Sequence, residues 1–217
     1  MPMESFPELV RDWKLECDCS DINNSTLQIR HVTNAAEGLW RQRVEERWRR
    51  KHELGRGSFG VVWLEECVSG PSEGQLRAVK QLRKAPHSTT SKYYAKELEA
   101  IVKFSHERVR SLSAQLSRQV ADQENQKYRD CFVQSFGWFE DTSSIFITME
   151  YVPLGDLEPY LKAPLPEPQA RIIAGQLLQG LVFMHENKFA HRDLKPGVGI
   201  LISVFRASLC LASNSGS

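Results

Sequence analysis

Three stretches of this sequence carry residues whose types and spacing suit phosphate chemistry. The first is HRDLKP, residues 191–196. An aspartate held by its neighbours in a tight loop can orient and deprotonate a hydroxyl nucleophile, a role open to Asp193. Lys195, two residues on, can steady the charge of a transferring phosphoryl group. The second stretch is GRGSFG, in which Gly55, Gly57 and Gly60 make the spacing G-x-G-x-x-G. Glycines let backbone N–H groups approach phosphates with no side chain in the way. Dinucleotide-binding folds use the same spacing, but there a helix begins inside the motif. Here Val61, Val62, Trp63 and Leu64 continue as a strand pattern, which favours a hairpin lid; an ordinary glycine-rich turn is the other reading. The third stretch is RAVKQL. Lys80 lies mid-strand between Val79 and Leu82, where a charge needs a partner. It can neutralise phosphates, with Glu97 on the following helical stretch as its carboxylate, or it can be a solvent-facing strand lysine.

These residues need elements to position them. VVWLEECV and LRAVKQL read as strands joined by the turn GPSEG. SKYYAKELEAIVKF has helical spacing, with Tyr94, Leu98, Ile101 and Val102 on one side. CFVQSFGWFE and SIFITMEYV are strands joined through Asp141–Ser143. PLGDLEPYL is a short helix. EPQARIIAGQLLQGLVFMHENK is a long one, with Ile173, Leu177, Leu181 and Met184 on its most apolar side. Upstream, LECDC and LQIRHV flank Asn23-Asn24 and could form a hairpin. Asn34 and Glu37 resemble a helix-capping box. The spacing of Trp40, Val44 and Trp48 then predicts an Arg-rich amphipathic helix, either packing its Trp stripe on the next domain or docking a partner.

The three phosphate motifs, in this order on strand, helix and loop, resemble the first part of a eukaryotic protein kinase domain. The resemblance covers about residues 51–108 and 128–196. It implies an α+β, kinase-like fold: an antiparallel five-stranded N-lobe sheet with one helix (helix C), then an incomplete helical C-lobe. It implies that Gly55, Gly57, Ser58, Phe59 and Gly60 cover ATP, and that Val62 and Ala78 sandwich adenine. Lys80 takes the place of the phosphate-pairing lysine, with Glu97 as the helix-C glutamate and Glu99 as the fallback. Met149 resembles the gatekeeper. Glu150 and Val152 would offer backbone hydrogen bonds to adenine, and Asp156 would sit near the ribose. Asp193 resembles the catalytic base, and Lys195 marks the serine/threonine type. The implied cofactors are ATP and Mg²⁺, and the implied partner is a protein substrate that the residues do not identify.

The pattern breaks twice. After HRDLKP the family places Asn where this chain has Val198, and residues 199–217 hold no DFG. The Asn and the DFG aspartate hold Mg²⁺ in the family. No metal-ligating residue is therefore assigned, and impaired catalysis is expected. Between Arg108 and Tyr128 about twenty polar residues exceed a typical connection. They read as a regulatory insert or as an unspliced intron, since Val109-Arg110 and Val198 are encodable with a splice-donor-like GT and Gln126 with an acceptor-like CAG. The tail reads the same way. The resulting division is 1–50 as an N-terminal extension, 51–152 as N-lobe and hinge with an insert at about 109–127, 153–196 as the start of the C-lobe, and 197–217 as a tail outside the family pattern. The fallback function is a pseudokinase-like nucleotide-binding or docking module.

Composition bounds the rest. The chain has 217 residues, 41% hydrophobic and 25% charged, within the ordinary range for globular proteins. Twenty-eight Lys and Arg balance 27 Asp and Glu, against a nucleic-acid partner. No apolar run approaches the ~18 residues that span a bilayer. The first residues lack a basic start with an apolar run, against a signal peptide. Cys17, Cys19, Cys67, Cys131 and Cys210 are odd in number and lack C-x-x-C spacing, so reduced thiols in a cytoplasmic or nuclear setting are expected.

Overall fold

The computed structural model describes residues 7–19, 24–34, 39–57, 60–84, 95, 98–101, 104 and 131–197. They fall into two units. The first holds the described residues up to Ile101 together with Ser135–Tyr151; the second holds Phe104, 131–134 and 152–197.

The first unit is a seven-stranded antiparallel sheet. Its strands are β1 (Glu16–Asp18), β2 (Ser25–Asn34), β3 (Leu39–Gly57), β4 (Gly60–Ser69), β5 (Leu76–Arg83), β6 (Ser135–Glu140) and β7 (Ser144–Glu150), in the order β1-β2-β3-β4-β5-β7-β6. The five-stranded sheet that the resemblance implies corresponds to β4, β5, β7, β6 and the part of β3 from residue 51 onward. Two more, β1 and β2, are added beside β3. Their hairpin is the one expected around Asn23-Asn24, with Glu16 opposite Ile29 and Asn24 in the left-handed region at φ 58°. Asn is among the few non-glycine residues that tolerate that conformation.

The Arg-rich helix expected over residues 34–50 is not formed. Those described from Leu39 onward belong to β3, which runs unbroken across residue 51. A spacing of four is even, so residues so spaced share one face of a strand as readily as one face of a helix. Tertiary pairing decides. Glu46 and Trp48 are buried, while Arg43, Glu45, Arg47 and Arg49 are exposed, a period of two. Of the expected cap pair, Asn34 ends β2, and Glu37 lies outside the described residues.

What makes a charged strand fit is a buried polar cluster. The register sets Arg50, Glu65, Arg77 and Glu150 side by side across β3, β4, β5 and β7. Arg77 is 1% exposed and Glu65 2%. The Arg77 Nε and Nη2 donate to Glu65 Oε2 at 3.0 and 2.8 Å, and Nη1 donates to Gln28 Oε1 on β2 at 2.6 Å. Its guanidinium lies 4.0 Å from the centre of the Trp48 ring on β3. Burial lowers the Arg77 pKa from its ordinary value, and the charge and hydrogen bonds of Glu65 pull it back up. Glu46, also buried, accepts from Arg30, Ser72 and Trp48.

The opposite face of the sheet is apolar. Leu82, Trp138, Ile145 and Ile147 form a core with Leu98 of the 98–101 helix and with Val10 and Trp13 from α1 (Glu8–Asp12) and its C-cap. The second unit centres on α2 (Glu167–Glu186), preceded by a 3-10 turn at Glu158–Lys162. Ile173 packs with Val152, Leu157, Leu165 and Leu177. Phe104, Phe132, Phe183 and Phe189 form a ring cluster, with Phe104 and Phe132 stacked at 5.1 Å. Among the described residues no helix is long and apolar enough to cross a membrane.

Two outcomes follow. Replacing Arg77 with Met strands the Glu65 charge in the interior and is expected to cost about 3–5 kcal/mol of stability, read from the urea midpoint. Replacing both residues, as Arg77→Met with Glu65→Leu, should recover most of that loss; equal losses for the single and double variants would show that the pair is not what the site depends on. On α2, Ile172, Leu178 and Val182 are 48%, 60% and 48% exposed. Such a face favours association, so the purified chain is expected to run as broad or large species on gel filtration and to bind an apolar-surface dye. A sharp monomer peak without dye binding would contradict this.

Candidate active site

The glycine-rich motif is the turn of a hairpin, with β3 ending at Gly57 and β4 starting at Gly60 opposite it. Strand thus follows strand here, unlike the strand-to-helix geometry of a dinucleotide site. The three glycines differ in role. A Cβ on Gly60 would overlap the Gln81 carbonyl oxygen of β5, so this glycine serves packing. Gly55 and Gly57 have no neighbouring atom within 4 Å of where a Cβ would stand, so open space lies on that side of each. Ser58 and Phe59 lie outside the described residues.

From the hairpin, β4 leads to the next two rows of the site. Val62 pairs with Lys80 on β5, and Lys80 with Ile147 on β7. Leu64 pairs with Ala78, and Ala78 with Met149. Directly opposed residues share a face, and so do residues two apart on one strand. Val62, Ala78, Lys80 and Met149 therefore form one patch, continuous with the hairpin and lying on the apolar face. Lys80 is half-buried. Leu98 of the adjoining helix is fully buried against this face. Glu97 lies outside the described residues; Glu99 is described there, half-buried. Glu150 ends β7 in the charged row with Arg77.

In the second unit, Val152 begins a turn in which its carbonyl accepts from the Gly155 N–H at 3.1 Å. Asp156 Oδ1 accepts from the Glu158 N–H at 3.0 Å. The Leu157 N–H donates to the Pro196 carbonyl at 3.1 Å, which ties this turn to the end of HRDLKP. A Cβ on Gly197 would stand 2.8 Å from Glu158 Oε2 and 3.9 Å from Asp156 Oδ2. Asp156 is thus held beside the loop that carries Asp193, a juxtaposition that sequence separation conceals.

That loop is shaped by an unusual backbone. Arg192 adopts φ 61°, a left-handed conformation costly for a residue with a side chain. It folds the Asp193 N–H back onto the His191 carbonyl at 2.9 Å and toward His191 Nδ1 at 3.4 Å. Burial lowers the His191 pKa, opposed by the charge of Asp193. A neutral imidazole leaves Nδ1 able to accept. The Asp193 carboxylate is exposed and 3.0 Å from Lys195 Nζ. An exposed pair of this kind holds little energy, so the carboxylate remains available to another donor. Neither Arg192 nor His191 was singled out in the sequence; the motif names them, but only the backbone angle shows what they do.

The sequence is similar to that of known proteins. The family model described as protein kinase domain matches residues 48–206. Mitogen-activated protein kinase kinase kinase 3 of Arabidopsis thaliana is 31% identical over 171 residues, 76% of this chain and 23% of the relative. The human protein of the same name is 32% identical over 162 residues, 71% of this chain and 22% of the relative. The NT-3 growth factor receptor of Gallus gallus is 27% identical over 164 residues, 66% of this chain and 17% of the relative. The chain spans about a quarter or less of the length of these relatives. A family match across most of the chain, drawing on both units, establishes that it belongs to the protein kinase domain family.

Proposed function

We propose that the reaction this chain is built for is ATP-dependent phosphoryl transfer to a serine or threonine hydroxyl of a protein, and that the sequence as written binds nucleotide with negligible turnover. The observation that carries the reading is the patch of Val62, Ala78, Lys80 and Met149, set by register directly beside an open glycine hairpin. A flat apolar base fits against Val62, Ala78 and Met149, with the backbone at Glu150 and Val152 for its polar edge. Phosphates then lie under the hairpin, where Gly55 and Gly57 put no side chain in the way and Lys80 supplies positive charge. Glu97 would orient Lys80, and Asp156 would take the ribose. Asp193 would orient and accept the proton of the attacking hydroxyl, with Lys195 beside it to steady the moving charge. Lys195 also supports serine or threonine as the acceptor.

Magnesium fits less well. The position after HRDLKP where the family carries a metal-binding Asn holds Val198, whose side chain has no lone pair to offer. Metal ions neutralise the charge that builds between the β- and γ-phosphates in this reaction class. A positioned base contributes about 10²–10⁴ in rate, against total accelerations of at least about 10⁶. Asp193 alone cannot close that gap. Val198 therefore also favours the second reading, a nucleotide-binding or docking module of the pseudokinase kind.

In a phosphate-transfer assay on a generic serine/threonine substrate, the parent chain and Asp193→Asn are expected to give the same background signal. Transfer by the parent that the variant abolishes would contradict the impairment. In calorimetry, ATP and adenosine are expected to bind weakly and with similar affinity; a strong, Mg²⁺-dependent preference for ATP would show that the metal is held despite Val198.

A further inference from the structure

The sheet of the first unit would end in two open edges, β1 and β6, but a single segment joins them. Before entering β1, the chain runs alongside β6: the Leu15 N–H donates to the Trp138 carbonyl at 2.7 Å, and the Trp138 N–H to the Trp13 carbonyl at 3.2 Å. From Glu16, the residue after Leu15, the same segment pairs with β2. The Trp138 indole N–H donates to the Val10 carbonyl at 2.7 Å. Lys14 Nζ sits 2.7 Å from Glu140 Oε1, and Lys84, just past the end of β5, reaches Oε2 of the same carboxylate at 2.7 Å.

The β6 strand is cut to receive this segment. Gly137 lies at φ 125°, and a Cβ there would stand 2.8 Å from the Trp13 carbonyl oxygen and from Leu15 Cγ. The register shifts between Ser135 and Gly137, and the Ser135 and Thr148 hydroxyls take up hydrogen bonds around it. A side chain at position 137 would push the segment away. The chain crosses the β6 edge so that Leu15, Cys17 and Cys19 pack with Val79, Phe139 and Phe146, while Val10 and Trp13 pack on the other side with Leu98. Ala95, Leu98 and Ile101 are spaced three apart and share one helix face, and all three belong to that packing.

We propose that residues 7–18 act as an in-chain strap that locks the 98–101 helix against the sheet, with Trp13 as its anchoring side chain. A helix in a folded protein takes most of its stability from tertiary contacts. Here those contacts are shared between the sheet and the strap. The bearing of this strap on phosphate binding rests on the proposed pairing of Lys80 with Glu97, which the helix would carry. The strap itself does not depend on nucleotide.

The test is amide hydrogen exchange on the full chain without nucleotide. Trp13→Ala is expected to raise exchange at 98–101 at least about tenfold relative to β5, because local opening is governed by local contacts. Trp13→Phe, which refills most of the volume, should restore most of the protection. Val79→Ala, a core loss in the other cluster, should not single out 98–101. Unchanged exchange at 98–101 in Trp13→Ala, or a rise shared equally with β5, would overturn the proposal. If Trp13→Ala does not fold, Lys14→Met removes the anchor to Glu140 without opening a cavity. It should show the same selective rise at smaller size, and its absence would count against the strap. Since no nucleotide is present, failure of ATP binding leaves this result standing, and the reverse holds.

Discussion

A guanidinium with almost no exposure to water sets the terms for the first unit. Arg77 on β5 must find partners for its donors inside the protein, since an unpaired buried charge is prohibitive. It finds Glu65 on β4, Gln28 on β2 and the face of Trp48 on β3. One side chain thus binds four strands, and one of those strands lies well upstream of the family match at residue 48. Glu46 repeats the device with Arg30, Ser72 and Trp48. With such groups inside, β2 and β3 cannot slip by one residue without turning Gln28, Glu46 and Trp48 to the opposite face. The polar cluster fixes register, and register in turn sets Lys80 beside Val62 and two residues from Ala78.

The N-terminal segment is therefore a structural part of this lobe. It adds two strands at one edge, crosses to the other edge at Trp138, and covers the apolar face with Val10 and Trp13. Cys17 and Cys19 on this segment are half-buried, and burial pushes the Cys17 thiol up to about 12, with the nearby Arg77 charge pulling the other way. A thiol so hard to ionise is a poor nucleophile, consistent with a packing role.

Much of this was legible in the sequence, and the failures have a common cause. The glycine hairpin, β4, β5, the β6–β7 pair and α2 follow from period, turn residues and β-branched runs. The Asn23-Asn24 hairpin was legible because Asn accepts a left-handed turn. The strand β3 was not. Its apolar residues are four apart, which both periods allow, and the residues that decide, Glu46 and Arg50, look like solvated helix positions until Gln28, Glu65 and Arg77 are brought to them. Buried polar networks are invisible to hydrophobic patterning because each member looks like surface. At the site, Gly55, Gly57, Lys80 and Asp193 were readable as types in order. The different task of Gly60, the left-handed Arg192 and the approach of Asp156 to Gly197 come only from the backbone. Ser58, Phe59 and Glu97 lie outside the described residues and keep their roles as proposals.

The central claim is that the upstream strands and the family strands form one cooperative sheet held by the Arg77 cluster. Native-state hydrogen exchange in low denaturant tests it most directly. The slowest amides of β2 and β5 should open with the same free energy and the same denaturant dependence, as members of one unit. If β2 exchanges through a smaller, separate opening while β5 stays protected, the upstream strands are an appendage and the account fails.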